Sequence, residues 1–241
     1  MQVSIVTPTY NRRKFIPALI EIYKKQEFPK EHMEWLILDD GRDKVEDLFI
    51  EASKTIPNIR YTYMEEKMRI GAKRNALNKL ATAPIIIAMD DDDYYPPDRV
   101  TSVVEAFAKY PKVDLAGSSE MLLYYLDNKK IYTMGPYIPN HATNGTMAWR
   151  KKYSDIHSYD EYVTLAEEGS FLDNYKHQMI QLDPLKTILV VCHTDNTADK
   201  TLLRQQHDDY KGPKGGKMKM TLYELSDIVR DPSLLEFYSG L

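Results

Sequence analysis

The chain has a single cysteine, Cys192, among its 241 residues, so it builds no disulfide within itself, and the apolar neighbours of Cys192 mark a buried, inert thiol. No apolar run approaches the roughly 18 residues that a membrane-spanning helix needs. The opening Met1-Gln2-Val3-Ser4-Ile5-Val6 is neither a basic leader nor a long apolar segment. These absences point to a soluble protein of a reducing, cytoplasmic compartment. An excess of basic charge is missing too: 32 Lys and Arg against 36 Asp and Glu leave a net charge of −4 and a pI of about 5.9. That argues against nucleic acid or an anionic membrane as partner, and for a small-molecule or neutral polymer substrate. No repeat is visible.

What is present reads as α/β. Short β-like runs at 3–7, 35–38, 59–64 (alternating) and 85–89 are interleaved with stretches of helical periodicity, the pattern of a mostly parallel sheet covered by helices. Asn11 is placed to cap the first helix, which carries Phe15, Ile16, Leu19, Ile20, Ile22 and Tyr23 on one face. Gly71 opens another helix, and Pro97 suits the first position of a third. After Pro111 the texture becomes mixed, with strands expected at 113–117, 121–126, 131–134, 146–149 and 186–192 and a helical stretch around 160–175. We read residues 1–210 as one domain, 1–110 forming its first half and 111–210 its second. A flexible basic segment and a short helix at 222–229 complete 211–241.

Four consecutive aspartates, Asp90, Asp91, Asp92 and Asp93, follow the run Ile85-Ile86-Ile87-Ala88-Met89 without a spacer. Clustered carboxylates at the exit of an interior strand repel one another unless a cation or a shared proton neutralises them. A hard divalent ion with oxygen ligands answers this, and Mg2+ or Mn2+ retains open positions for phosphate oxygens. The other strand exits are also polar: Pro8-Thr9-Tyr10-Asn11-Arg12 after the first strand and Asp39-Asp40-Gly41 after the second. Singly, each has a plain structural reading: a helix cap, a turn, a solvated loop or calcium site. Together they fall on the one sheet edge where open α/β proteins bind ligands.

These segments, with Gly71-Ala72-Lys73-Arg74-Asn75-Ala76-Leu77 between them, resemble family 2 glycosyltransferases of the GT-A fold, specifically to about Val104 and more thinly beyond. The resemblance implies a nucleotide-binding first half, an acceptor-side second half and a nucleoside-diphosphate sugar as donor. Pro8, Thr9 and Tyr10 would line the base and ribose, Asp40 would accept from the base with Asp39 in support, and Arg74 would approach the nucleotide or its diphosphate. The family's DxD motif matches Asp90-Asp91-Asp92, with Asp92 the foremost metal ligand and Asp90 or Asp91 near the ribose or a metal-bound water. Four aspartates leave that register open by one position. Glu167-Glu168 resembles the family's Glu-Asp pair, whose second residue carries the general base, so Glu168 leads and Glu167 stands in reserve. Gly145 would let backbone approach the sugar, and His193 would complete the metal sphere.

The implied activity is an inverting, Mn2+- or Mg2+-dependent transfer to a hydroxyl of a glycan or glycoconjugate. A sugar nucleotidyltransferase is disfavoured because the first loop has no glycine to cradle phosphate, and a binding domain without turnover is the other rival. Lys211, Lys214, Lys217 and Lys219 lie in or beside a glycine-rich linker that folds over a diphosphate or is simply solvated. Tyr94-Tyr95 and Tyr124-Tyr125 stack on sugar rings or fill the core.

Overall fold

The computed structural model describes residues 2–163, 166–194, 196, 200–209 and 218–241. Strands β1 (Val3–Thr9) and β2 (Met33–Asp39) pair in parallel, and helix α1 (Ile16–Lys25) makes the crossover between them. Helix α2 (Glu46–Ser53) leads to β3 (Ile59–Tyr63), and α3 (Ile70–Leu80) to β4 (Ile85–Ala88), which returns to the other side of β1. Helix α4 (Arg99–Lys109) and strands β5 (Leu115–Gly117), β6 (Met121–Tyr125), β7 (Lys130–Met134) and β8 (Ala148–Arg150) follow. The one-turn helices α5 (Lys151–Ser154) and α6 (Glu168–Phe171) precede β9 (Met179–Gln181) and β10 (Leu189–Cys192). Helix α7 (Lys200–Asp209), β11 (Met218–Met220), α8 (Leu225–Ile228) and α9 (Pro232–Gly240) end the described chain.

The main sheet has the order β3-β2-β1-β4-β8-β5-β9, and a second sheet the order β10-β6-β7-β11. Strand order therefore reverses between β1 and β4, which opens a crevice at their carboxyl ends. Every residue of β1, β2 and β4 is buried, as expected of parallel strands covered on both faces. Trp35 centres the core under the α1–α2 layer, stacked on Tyr23 at 4.4 Å and edge-on to Phe49 at 5.2 Å. At the opposite end of the strands, buried Glu34 accepts from the Ser4 hydroxyl (2.6 Å) and from the Thr82 amide (2.7 Å) and hydroxyl (2.8 Å). The Ala83 amide donates to Ser4 Oγ at 3.1 Å, so β1, β2 and the entry to β4 are tied together there.

Several local expectations change. Asn11 does not cap α1: it has φ 54°, and its Oδ1 accepts instead from the amides of Arg42 (2.8 Å) and Asp43 (3.2 Å). Pro97 lies before α4, which begins at Arg99. Among its described residues the stretch 160–175 is mostly irregular, because Ala166, Asp173, Asn174 and Tyr175 adopt positive φ and interrupt any longer helix. Residues 144–146 and 184–186 are short 3-10 turns where strands were expected to begin. The 222–229 helix shortens to α8, and α9 follows it unforeseen; Leu234 and Tyr238 of α9 pack into the main core. The glycine-rich segment 211–217 lies outside the described residues. Among the described residues, no helix is long and apolar enough to cross a membrane.

Candidate active site

The exits of β1 and β4 open on a cavity of about 310 Å3, with the β2 exit joined to it through Lys73. It is lined by Pro8, Thr9, Tyr10, Arg12, Lys73, Arg74, the four aspartates, Glu167, Asn196 and Lys200, among others. A larger cleft, about 880 Å3, separates the end of α1 from α8 and α9 and holds none of the paired acidic and basic groups described below.

On the β2 side, Asp39 is spent on structure. Its carboxylate accepts from the Gly41 amide (2.8 Å), the Val45 amide (3.2 Å) and the Tyr61 hydroxyl (2.6 Å). A Cβ on Gly41 would fall 2.6 Å from the Asn11 nitrogen, so only glycine lets these two loops touch. Asp40 supports the pocket from beneath: it accepts from the Met68 amide (2.6 Å) and pairs with Lys73, whose ammonium also donates to the Thr9 carbonyl at 2.9 Å. Burial holds the Lys73 pKa below its ordinary value despite Asp40. Above this knot the Tyr10 ring lies under Lys67, 4.1 Å from its ammonium.

Helix α3 delivers Arg74 to the centre. Its Nε donates to Glu167 Oε1 at 2.9 Å and its Nη1 to Asp90 Oδ1 at 3.0 Å. With the Asn144 amide turned to satisfy both neighbours, its oxygen accepts from Arg74 Nη1 at 2.6 Å while its nitrogen donates to Tyr159 Oη at 2.6 Å. Burial opposes the guanidinium charge, but the Asp90 and Glu167 carboxylates outweigh it and hold the pKa above the ordinary arginine value. Arg74 is thus a clamp between two acidic segments at the edge of the cavity.

The four aspartates occupy four different environments. Asp90 receives Arg74, and its amide donates to Tyr95 Oη at 2.7 Å. Asp91 lies 3.8 Å from Arg12 Nε, and burial followed by the Asp92 charge pushes its pKa up to about 8. Asp92 Oδ2 faces His193 Nε2 at 3.1 Å, Asn196 Nδ2 at 3.4 Å and Arg12 Nη2 at 3.6 Å. Burial disfavours its charge, yet His193, Lys200 and Arg12 hold its pKa below the ordinary carboxylate range. Asp93 turns inward, where its Oδ1 accepts from the Val191 amide at 2.8 Å.

Among the described residues, no group of three His, Cys, Asp or Glu is set to hold a metal ion. The pair Asp92 and His193, with side chains 14% and 5% exposed, nevertheless offers one carboxylate oxygen and one imidazole nitrogen at a shared point. That donor chemistry fits Mn2+ or Mg2+, with phosphate and water completing the sphere. Asp90 is drawn off toward Arg74.

Glu168 starts α6, half-buried, and burial raises its pKa above the ordinary glutamate value. Glu167 is engaged by Arg74. A Cβ on Gly145 would meet Ile188 Cδ1 at 2.9 Å and Asp90 Oδ2 at 3.2 Å, so backbone passes close to that carboxylate. Tyr94, Tyr95, Tyr124 and Tyr125 are all at most 2% exposed, which removes them as sugar-stacking surfaces. Lys73, Arg12, Asn144 and Asn196 were given no role of their own from the sequence, and Tyr95 was not foreseen as the acceptor of the Asp90 amide. Lys73 had a signal, since it adjoins Arg74 on one helix; the others depend on distant chain segments.

The glycosyl transferase family 2 model matches residues 4–161, and the chain belongs to that family. It is 30% identical over 95 residues to the poly(ribitol-phosphate) beta-N-acetylglucosaminyltransferase TarS of Staphylococcus aureus, covering 39% of this chain and 17% of TarS. It is 26% identical to the chondroitin synthase of Escherichia coli over 241 aligned positions, 87% of this chain and 32% of that one. The chain therefore spans well under half the length of these relatives. Residues 1–349 of TarS in complex with UDP-GlcNAc superpose with a TM-score of 0.65 at 16% identity, covering 89% of this chain and 68% of that one. The mannosyltransferase PcManGT of Pyrobaculum calidifontis, in complex with GDP-Man and Mn2+, gives 0.66 at 14% identity, covering 99% and 69%. The fold is the GT-A fold of these enzymes.

Proposed function

We propose that this chain is a metal-dependent, inverting glycosyltransferase that moves a sugar from a nucleoside-diphosphate donor to a hydroxyl of a glycan or glycoconjugate. One observation carries the reading: a carboxylate–imidazole pair (Asp92, His193) and the Arg74-held Glu167, with Glu168 next in the chain, meet at the cavity at the switch point of a GT-A sheet. The complexes of TarS with UDP-GlcNAc and of PcManGT with GDP-Man and Mn2+ support the donor class.

In this reading the base and ribose lie along Pro8, Thr9 and Tyr10, above the Asp40–Lys73 knot. Asp92 and His193 would hold the divalent ion, which would supply positive charge to offset that of a diphosphate leaving group. Arg74 keeps Asp90 and Glu167 at fixed positions beside the sugar, and Gly145 leaves room for it. Glu168 takes the proton of the incoming hydroxyl, and its burial makes it a stronger base than a solvated glutamate. With Glu168 acting directly on the incoming hydroxyl, transfer is a single displacement with inversion at the anomeric carbon.

The test is a panel of nucleoside-diphosphate sugars with Mn2+ or Mg2+, scored for released nucleotide. Release is expected to need the metal and to be lost in Asp92→Asn with the fold intact. Full activity in that variant, or in EDTA, would overturn the metal assignment. Nucleotide or sugar binding without any turnover would favour a binding domain instead.

A further inference from the structure

The turn formed by residues 90–93 is held at both ends by tyrosine hydroxyls. Tyr95 Oη accepts the Asp90 amide at 2.7 Å, and Tyr238 Oη donates to the Asp93 carbonyl at 3.0 Å. Tyr238 comes from α9, 145 residues later in the chain, and is 2% exposed with its ring edge-on to Tyr94 at 6.0 Å. The preceding residue, Phe237, lies edge-on to Phe15 at 6.3 Å, and the Phe15 ring in turn rests 4.9 Å from the His193 imidazole. Helix α9 therefore reaches Asp92 through the backbone of its neighbour and His193 through an aromatic relay.

Asp93 passes the constraint on. Val191 lies on the outer side of β10, where Leu189 pairs with the Tyr94 backbone and the Val191 amide donates to Asp93 Oδ1 at 2.8 Å. His193 is two residues further along. A shift of the Asp93 backbone thus moves both halves of the pair, and displacements of ångström size at a reacting centre cost far more in rate than in stability.

We propose that α9 is a positioning element for the Asp92–His193 pair, with Tyr238 setting the aspartate turn and Phe237 setting the imidazole through Phe15. The proposal rests on the reading of that pair as the metal-holding group of a glycosyltransferase.

Tyr238→Phe removes the hydroxyl and keeps the ring. Hydrogen exchange followed by NMR is expected to show the Val191 amide exchanging about tenfold faster, with Ile5 in β1 and Leu36 in β2 unchanged. Binding of Mn2+ alone, read from the electron paramagnetic resonance of the free ion, is expected to weaken about tenfold. Phe49→Leu, a core change in α2 and not in α9, serves as the comparison at matched unfolding midpoint. The proposal is overturned if Tyr238→Phe keeps wild-type Val191 protection, or if Phe49→Leu reproduces the same local changes. Val191 exchange requires neither donor nor metal, so it decides the role of α9 separately from the parent reading, which fails if the wild-type protein releases nucleotide from no donor.

Discussion

Arg74 Nε and Glu167 Oε1 lie 2.9 Å apart although 93 residues separate them in sequence, and the same guanidinium reaches Asp90 at 3.0 Å. Both sides of the cavity are joined through this one cation, with Arg74 8% and Glu167 9% exposed. Coulombic attraction at such burial is weakly screened, so the clamp persists at high salt.

Replacing Arg74 by Met leaves two largely buried carboxylates without their counterion. Breaking a buried pair in this way costs about 3–5 kcal/mol. Urea unfolding of Arg74→Met is expected to show a loss of that order and donor turnover to disappear. Arg74→Lys, which cannot span both partners, is expected to retain part of the stability and little of the activity.

The raised pKa of Glu168 has a defined sign. A general base works deprotonated, so kcat/KM falls as pH drops through a pKa above the ordinary glutamate value of about 4.3 and levels off above it. Since folding favours the protonated form, acidification through this group does not destabilise the protein. Glu168→Gln is expected to lower kcat by roughly 100- to 10,000-fold and abolish that acid limb. A pH–rate profile of both proteins checks this.

Gly145→Ala places a methyl 2.9 Å from Ile188 Cδ1, the movable end of a side chain, and 3.2 Å from Asp90 Oδ2. The stability cost is expected to stay near about 1 kcal/mol, because the isoleucine tip can shift. Donor KM is expected to rise about tenfold or more, because the methyl occupies space beside Asp90. Thermal unfolding together with donor titration distinguishes the two effects.

Cys192 is 4% exposed, and burial pushes its thiol up to about 12. Iodoacetamide at pH 8 is expected to leave the native protein unlabelled and to modify it fully in guanidinium chloride, as mass spectrometry would reveal.

The strands that frame the cavity were legible because 35–38 and 85–89 are continuous apolar runs and 3–7 is a β-branched stretch broken only by Ser4, and the polar groups at their exits followed directly. Asn11 was misread because an asparagine before a helical pattern has two uses, and here the left-handed turn toward Arg42 and Asp43 wins over the cap. Helix α9 had a local signal that went unused: Asp231 accepts from the Ser233 and Leu234 amides just ahead of Pro232. The tyrosine pairs were ambiguous in principle, since alternation does not reveal whether a strand is covered on one face or both. The roles of Arg74, Asn144 and Tyr159 depend on contacts across dozens of residues, which no local pattern encodes.

The Ser4–Glu34–Thr82 lock acts as a ruler for everything at the opposite rim. It fastens two strands and the entrance of a third where nothing reacts, and β4 then runs only four residues, roughly 13 Å, before its acids emerge. A slip of one position would turn each of those carboxylates to the wrong side of the sheet. The distant hydroxyl of Ser4 thereby determines the height and facing at which Asp90 and its neighbours arrive.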